Sequence, residues 1–444
     1  MSLKRGIFYT FLTQAPTLVL FFGASLAMTR LLGDVGRGEY ALLTNNAALL
    51  TMLFGLNLGF AIIYYTSRSD TEARASIGTA ASLLLLNMGL VPIVLLIVSG
   101  SSELSPFLLP DGRTHWGYLG YIYLTVMLGL VNIAISSVLL GLKKFKALNG
   151  LSLLNAGLSA TGFALLYWFR HKVAPTDMLP TVLFVTSAAL VLQSCVSIGL
   201  YVHHVRIAPW PVRSWTTLRP ILAFSLVAHL SHLVNLINYR FDVWVVDNYH
   251  GAAELGLYAV AVGVAQLLFY IPEPLTRVVQ PFLFGQVKDE MLSRYKAIAR
   301  LNFTAVLLLS LLLCATAYWV VPLLFGEVFR GSVLALQLLL PGIVCSASAK
   351  LLSTLVVHGG LQRFSLYATI VGAVLTITFD LLLIPRWGIA GAALASTVSY
   401  ASILVVVLLV IRFRLSIPVH DLFLPKADDI RLLRNYASWK SGAQ

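Results

Sequence analysis

Residues 7–28 read IFYTFLTQAPTLVLFFGASLAM, a mostly apolar run without a single charge. A helix rises about 1.5 Å per residue, so this run is long enough to cross the roughly 30 Å hydrocarbon core of a bilayer. No Ala-x-Ala sequence that would mark signal-peptide cleavage follows it. We therefore expect the run to be the first membrane-spanning helix rather than a cleaved signal peptide.

The composition extends this expectation to the whole chain. Of the 444 residues, 58% are hydrophobic and 11% are charged, and the mean hydropathy is +0.85. Soluble domains carry about 25% charged residues, so most of this surface must face lipid. The three cysteines each fall inside an apolar run, and we expect buried, inert thiols rather than a disulfide framework or a metal site.

Twelve apolar runs of spanning length can be counted along the chain. They lack the alternation of strands, and lipid forces the backbone to satisfy its own hydrogen bonds, so they predict helices rather than a barrel. The runs are Ile7–Met28, Tyr40–Tyr64, Ile77–Val98, Trp116–Leu140, Ala147–Trp168, Leu179–Val202, Ile221–Val246, Leu255–Ile271, Leu301–Leu323, Val333–Val357, Phe364–Leu383 and Gly388–Val410.

The basic residues indicate the orientation of these helices. The net charge is +13, but the cations lie in short loops between apolar runs, which argues against nucleic acid as a partner. With twelve spans, 22 of the 31 Lys and Arg residues fall on the side of the N-terminus and 8 on the other side. Such a bias predicts that both termini are cytoplasmic.

Two motifs recur in the second half of the chain. Gly33-x4-Gly38-Glu-Tyr-Ala41 matches Gly251-x4-Gly256-Leu-Tyr-Ala259, and GLKKF from 141 matches GLQRF from 360 at nearly the same offset along the chain. Each half holds an even number of spans, so both halves insert in the same direction. This predicts two six-helix lobes related by a pseudo-two-fold axis along the membrane normal.

The repeat and the loops predict the division of the chain. We expect an N-terminal lobe over 1–205 and a C-terminal lobe over 221–413. The segment 206–220 contains Trp210 and Trp215 and suits an interfacial linker on the cytoplasmic face. Residues 414–444 would form a cytoplasmic tail.

Three segments resemble a known family. Thr29–Leu43 (TRLLGDVGRGEYALL) resembles the first-loop signature of polysaccharide flippases of the Wzx type, which belong to the multidrug/oligosaccharidyl-lipid/polysaccharide exporter superfamily. Asn238–Asp242 followed by Leu255–Ala259 is similar to their seventh and eighth spans. Leu381–Ala395 is similar to the loop before their last span. The resemblance covers essentially the whole chain.

The resemblance implies a function. Such proteins move an undecaprenyl-pyrophosphate-linked oligosaccharide, such as an O-antigen unit, from the cytoplasmic to the periplasmic leaflet of a bacterial inner membrane. It implies alternating access, an H⁺ or Na⁺ coupling ion, and membrane lipids as partners. Other polysaccharide-assembly membrane proteins are possible partners, and neither a cofactor nor a metal is expected.

Two other functions stay open. A cation-coupled multidrug exporter of the same superfamily would share the fold, whereas the lipid II flippases usually carry arginines deep in their first helix, and here none precedes Arg30 in that helix. A membrane glycosyltransferase or polymerase would need a large catalytic outer loop, but the loop Ser99–His115 offers only Glu103 and Asp111. Because the chain also lacks a Gly-x4-Gly-Lys-Ser/Thr loop, we expect a transporter and not an enzyme.

Ionisable residues inside spans are costly and mark candidate sites. In the seventh span, Arg240 shares a helical stripe with His229 and His232, and this stripe could face a central cavity where Arg240 would grip a pyrophosphate. A structural ion pair, or an interhelical histidine pair, is the alternative. Asp242 lies on the other side of the helix and could be structural or bind the coupling ion.

Further candidates carry weaker signals. Lys350 in the tenth span could reach the cavity or extend towards the membrane surface. Arg30 could bind substrate or act as an interfacial anchor, and Asn45, with its neighbours in the second span, could bind sugar hydroxyls or bridge helices. Glu273 and Arg277 could form a cytoplasmic gate or a plain surface salt bridge.

Overall fold

The computed structural model describes residues 3–110, 115–205, 207–212, 214–273, 275–276, 289–426 and 429. Over these residues the chain is helical, with short loops and no strand. The helices are α1 (Leu3–Gly55), α2 (Leu58–Thr66), α3 (Asp70–Gly100), α4 (Ser105–Leu108), α5 (Trp116–Gly141), α6 (Phe145–Trp168), α7 (Met178–His204), α8 (Trp215–Gln266), α9 (Asp289–Phe325), α10 (Ser332–His358), α11 (Gln362–Arg414) and α12 (His420–Phe423).

Three of these helices are about twice the length of a span. Among the described residues, nine helices are long and apolar enough to cross a membrane. Of these, α1 and α11 have 53 residues and α8 has 52, and each is broken by non-helical backbone at one glycine: Gly33, Gly251 or Gly388. Each long helix therefore supplies two spans, and the predicted all-helical membrane fold with about twelve spans is confirmed.

The breaks in α1 and α8 have the same backbone conformation. Gly33 has φ 67° and ψ −167°, and Gly251 has φ 77° and ψ −179°. This region of backbone space is essentially restricted to glycine, because any side chain would clash there. The two glycines are the equivalent first positions of the Gly-x4-Gly motif, so this motif is repeated in structure as well as in sequence.

The second repeated motif, GLKKF and GLQRF, aligns differently in structure and in sequence. After α5, Lys143 has φ 57° and the N–H of Lys144 donates to the carbonyl of Leu139 (2.8 Å). After α10, Gly360 has φ 73° and the N–H of Leu361 donates to the carbonyl of Val356 (3.1 Å). In this helix-ending turn, Lys143 corresponds to Gly360, whereas the sequence match aligns Gly141 with Gly360. The structural repeat is therefore slightly shifted from the sequence match, because the turn needs its left-handed residue at a fixed position.

The predicted second span is interrupted between α1 and α2. Leu56 (φ 46°) and Asn57 (φ 50°) are both left-handed, so the helix stops and restarts. The carbonyl of Phe54 is freed by this break and accepts a hydrogen bond from the Asn87 side chain of α3 (3.0 Å). The polar side chain of Asn87 thus provides a hydrogen bond to a backbone carbonyl that lipid could not provide.

The chain forms two compact units. The N-terminal unit comprises Pro16–Leu236 with Gly251–Gly256, and the C-terminal unit comprises Met1–Ala15, Ile237–His250 and Leu257–Gln444. The first part of α8 belongs to the N-terminal unit because Phe224 stacks on Tyr64 (4.9 Å between ring centroids) and on Phe60 (5.7 Å). The division therefore falls inside α8, and the lobe limits at 205 and 221 remain predictions.

Unpaired cysteines occur in both units. Cys314 and Cys345 are half-buried, and Cys195 on α7 is exposed, although burial was expected from its apolar surroundings in the sequence. An apolar span exposes one face of its helix towards lipid, so hydropathy alone does not tell buried positions from lipid-facing ones.

The start of the tail is held against α9 in the C-terminal unit. Arg300 forms a buried ion pair with Asp429, and its Nη1 also donates to the carbonyl of Asp421 (2.7 Å). The carboxylate of Asp421 lies between Lys296 (3.1 Å) and Lys426 (2.9 Å). The tail thus begins with a fixed segment and not as a free chain.

Candidate functional site

A buried carboxylate lies in the C-terminal unit where the two halves of α8 meet α11. Asp242 is 6% exposed, and its Oδ2 accepts a hydrogen bond of 2.5 Å from the hydroxyl of Tyr258. Its Oδ1 accepts from the N–H of Val243 (2.8 Å), and the hydroxyl of Ser396 also reaches it. The Gly251 break makes this possible, because it reverses the chain between Asp242 and Tyr258.

A second buried carboxylate lies close to the first. Asp380 on α11 is fully buried, and neither of its oxygens has a hydrogen-bond partner among the described residues. It is near enough to Asp242 for their charges to interact. Sequence analysis missed Asp380, although a lone carboxylate in the apolar run ITFDLLLI from 377 was a usable signal.

Two carboxylates in such surroundings require a cation. Burying one charge in a low-dielectric interior is expensive, and two like charges repel in addition. A proton on one carboxyl group would relieve both costs, and so would Na⁺ ligated by carboxylate and hydroxyl oxygens. No cluster of three or more His, Cys, Asp or Glu side chains exists in the described part of the chain. A metal ion here would therefore depend on Tyr258 and Ser396 as well.

Arg240 lies two residues before Asp242 in a different environment. Its side chain is exposed, and it has neither an ion pair nor a hydrogen bond with a described residue. Its positive charge interacts electrostatically with Asp242 and with Tyr400. The structural ion pair considered from the sequence is therefore not formed here, and the guanidinium is available to an anion.

Lys350 of α10 forms its own group with aromatic residues. Its Nζ lies 3.6 Å from the ring centroid of Phe269 and 5.6 Å from that of Tyr239. A carboxylate oxygen of Glu273 is 3.5 Å from the same Nζ. Glu273 thus pairs with Lys350, and its predicted partner Arg277 lies outside the described residues.

The remaining candidates lie in the N-terminal unit. His229 is buried, and its Nδ1 has no partner among the described residues, whereas His232 is exposed. Asn45 is buried with both amide atoms unsatisfied within the same part of the chain. Arg30 is exposed three residues before the Gly33 break. These four residues therefore belong to a different unit from the carboxylate pair, and their roles remain predictions.

Other intramembrane amides bridge helices. Asn46 donates to the carbonyls of Phe107 (2.9 Å) and Leu108 (3.0 Å), and it thereby holds α4 against α1. Asn238 donates to the carbonyl of Thr369 (3.0 Å) and ties α8 to α11. These side chains are structural, which is the usual use of amides between membrane helices.

Solved structures share the architecture of this chain. A multidrug resistance MATE family transporter of the MOP superfamily in an inward-facing conformation matches with a TM-score of 0.69 at 17% identity, covering 89% of this chain and 94% of the other. The lipid II flippase MurJ in an inward closed conformation also matches with a TM-score of 0.69, at 14% identity, covering 96% and 90%. The chain has the MOP-superfamily transporter fold.

A third MOP-superfamily transporter, from Pyrococcus furiosus, matches with a TM-score of 0.59 at 14% identity, covering 94% of this chain and 96% of the other. Residues 184–334 match a protein family described as "Polysaccharide biosynthesis protein". No curated protein sequence matches the chain. The resemblance indicated by the sequence motifs is confirmed by the fold and the family match together, and the MOP-fold proteins named here are transporters and flippases rather than enzymes.

Proposed function

We propose that this protein is a flippase for a polyprenyl-pyrophosphate-linked oligosaccharide, which it moves from the cytoplasmic to the periplasmic leaflet by alternating access. The observation that carries the proposal is the polysaccharide-biosynthesis match over 184–334, in a chain whose fold is shared with a lipid II flippase. The pyrophosphate and sugars of such a lipid cannot cross hydrocarbon unaided. A helical protein with polar groups at depth provides them with a path.

Arg240 is proposed to bind the pyrophosphate. An exposed guanidinium on a membrane helix, without a carboxylate of its own, needs an anion to offset its desolvation. Its planar fork of N–H donors matches phosphate oxygens in pairs and stays charged at any physiological pH. The same charge lies near Asp242, so an anion bound at Arg240 changes the electrostatic environment of the carboxylate pair.

The pair of Asp242 and Asp380 is proposed to bind the coupling ion, H⁺ or Na⁺. Binding of a cation would remove the repulsion between the carboxylates, and its release would restore it. Asp242 links both halves of α8 to α11 through Tyr258 and Ser396. Asp380 of α11 lies near it, so a change in the charge of the pair acts directly on the packing of four spans. A cation gradient could then drive the conformational cycle.

Lys350 and Glu273 are proposed to contact the pyrophosphate in a later step than Arg240 does. The separation of 3.5 Å and the partial exposure of both side chains make this a weak ion pair. A pyrophosphate that approached Lys350 would compete with Glu273 for the ammonium group. His229, His232, Asn45 and Arg30 are proposed as further polar contacts for the headgroup, and Arg277 as a gating partner of Glu273.

The excess of Lys and Arg on the side of the N-terminus supports cytoplasmic termini. A bacterial inner membrane is proposed from the resemblance to polysaccharide flippases. Membrane lipids, and other membrane proteins that assemble polysaccharides, are the expected partners there.

Deletion of the gene in its host tests the function. We expect one surface polysaccharide to be lost and its lipid-linked precursor to accumulate on the cytoplasmic leaflet, where a periplasmic ligase cannot reach it. The likeness to multidrug transporters makes drug export the second candidate. Unchanged surface polysaccharide combined with retention of cationic dyes would favour that function. Formation of glycosidic bonds by the purified chain would contradict both.

A further inference from the structure

An apolar cavity of about 280 Å³ lies inside the N-terminal unit and is not used by the proposed function. Its walls come from α2, α3, α5 and α7, and among its deepest lining residues are Ile62, Ile77, Ala80 and Val138. Among the described residues, no polar atom lines it. Tyr201 is the only described lining residue with a hydroxyl, and this hydroxyl donates to the carbonyl of Ile207 (2.6 Å) and is therefore already satisfied.

Such a cavity calls for a hydrocarbon occupant. Protein interiors are close-packed, and voids larger than a water molecule are few. An apolar cavity of about 150 Å³ already binds benzene and stays free of water, because water finds no hydrogen-bond partner there. The cavity described here is nearly twice that size. In a bilayer, the hydrocarbon available at high concentration is a lipid chain.

The residues around the opening of the cavity are typical of the membrane interface. Pro209, in the segment after α7, and Ile198 of α7 form its exposed rim. The segment is fixed there, because the N–H of Val212 donates to the carbonyl of Gly78 (3.3 Å) and the hydroxyl of Ser82 donates to the carbonyl of Val212 (2.7 Å). The neighbouring exposed tryptophan at 210 is typical of interfacial depth.

The far end of the cavity narrows. A second apolar space of about 30 Å³ shares lining residues with the first, including Ala80 and Ala134, and reaches Asn87. From Ile77 to Asn87 along α3, the two spaces together extend for roughly 15 Å at the rise of a helix. A large space followed by a small one suits the end of an unbranched acyl chain better than the bulkier, methyl-branched chain of an isoprenoid.

Positive charge follows the end of α5, the helix whose Val138 lines the cavity. The exposed residues Lys143 and Lys144 lie in the turn between α5 and α6, and the exposed Lys146 lies in the first turn of α6. None of the three forms an ion pair with a residue that the structure describes. Interfacial lysines of this kind attract anionic lipid headgroups.

We propose that this cavity binds one acyl chain of an anionic phospholipid, whose phosphate is held by Lys143, Lys144 and Lys146. The proposal rests on the cavity and its rim and is independent of the substrate that the protein moves. The bound lipid would fill the packing defect in the N-terminal unit, so it would stabilise that unit and make its stability sensitive to the lipid composition.

Photocrosslinking with the purified full chain tests the proposal. The probe is phosphatidylglycerol carrying a diazirine near the end of one acyl chain, in vesicles of phosphatidylcholine. We expect crosslinks on peptides from α3 and α5. Ala80→Phe and the milder Ala134→Leu fill the cavity and should each reduce this labelling by about tenfold. The matched control Ala48→Leu, at an exposed position of α1, should leave it unchanged.

The headgroup is tested separately. Replacing Lys143, Lys144 and Lys146 by Gln should remove the preference for phosphatidylglycerol over a phosphatidylcholine probe, whereas Arg170→Gln with Lys172→Gln, at the other end of α6, should not. Gel filtration shows which variants remain folded. Labelling that is insensitive to both cavity-filling variants would overturn the proposal. Displacement of the probe by an equimolar polyprenyl phosphate would also overturn it, because it would assign the cavity to an isoprenoid chain.

Discussion

Gly38 and Gly256 lie against each other in the N-terminal unit and make the same contact in both directions. A Cβ on Gly38 would overlap the carbonyl oxygen of Ala252, and a Cβ on Gly256 would overlap the carbonyl oxygen of Asp34. Asp34 and Ala252 are themselves equivalent in the repeat. Such a reciprocal contact is what a two-fold relation between the two copies of the motif produces, and it explains why the second glycine of each copy is required.

Substitution of these glycines tests the reciprocal contact. Gly38→Ala and Gly256→Ala should each destabilise the protein by about 1–3 kcal/mol or more, because a backbone carbonyl cannot move aside as a side chain can. Thermal unfolding in detergent measures this. The controls are Gly89→Ala and Gly120→Ala in helix interiors, where a Cβ meets nothing within 4 Å. There the exchange should stabilise by about 0.5–1 kcal/mol. Equal shifts at all four positions would refute the contact.

Arg240 should be required for transport and dispensable for folding. Arg240→Ala should abolish flipping while the amount of membrane-inserted protein stays near normal, because no described residue pairs with the guanidinium. Arg240→Lys should recover part of the activity, since an ammonium group lacks the planar fork. Arg386→Ala, which removes an arginine near the Gly388 break, is the control. Normal flipping by Arg240→Ala would leave Lys350 as the next candidate.

Asp380→Asn should raise stability and impair transport at the same time. The substitution replaces a buried carboxylate by a neutral amide and removes its charge repulsion with Asp242, so unfolding should become harder by about 1–3 kcal/mol. Transport should fall at least about tenfold and lose its dependence on a cation gradient. Asp242→Asn should instead destabilise, because an amide has one acceptor oxygen, whereas the two carboxylate oxygens accept from Tyr258 and from the N–H of Val243. A stable Asp380→Asn protein with unchanged gradient dependence would exclude the pair as the coupling site.

The tail should detach from α9 only in strong acid. Hydrogen bonds from Lys426 and Lys296 lower the pKa of Asp421 to about 2. Burial alone would raise the pKa of Asp429, but the hydrogen bonds and charge of Arg300 outweigh it and lower that pKa. Both folded-state pKa values thus lie below the unfolded value of about 3.9. The stabilisation is therefore complete above about pH 4 and is lost as the pH falls towards 2. Hydrogen exchange of residues 420–426 measures it.

Removing one partner of the buried ion pair between Arg300 and Asp429 should lower the stability more than acid does. Arg300→Ala leaves Asp429 buried without its cation and should destabilise by about 3–5 kcal/mol, whereas Arg300→Met with Asp429→Leu should recover most of the loss. Arg330→Ala removes the exposed ion pair with Glu327 and should change the stability little, since Glu327 stays solvated without it. Failure of the double variant to recover would show that the pair has a role beyond stability.

The spans and the Gly-x4-Gly repeat were predictable, because long apolar runs and equally spaced glycines can be recognised directly in the sequence. The asparagines were not, since Asn46 bridges helices while the adjacent Asn45 is buried and unsatisfied within the described part of the chain. Asp380 itself could have been found as a lone carboxylate in an apolar run, but its proximity to Asp242 could not, because the two are distant in the sequence and are brought near only by packing. The pairing of Glu273 with Lys350 is non-local in the same way, whereas sequence reasoning looked for a partner one helical turn away.

Flipping in reconstituted vesicles tests the central claim most directly. The full chain is placed in proteoliposomes that carry a fluorescent polyprenyl-pyrophosphate-linked oligosaccharide, and a membrane-impermeant quencher reports which leaflet holds the headgroup. With a cation gradient, the wild-type protein should move the headgroup between leaflets, and Arg240→Ala should not. A headgroup that stays in its original leaflet, while the same vesicles transport a cationic dye, would contradict the account.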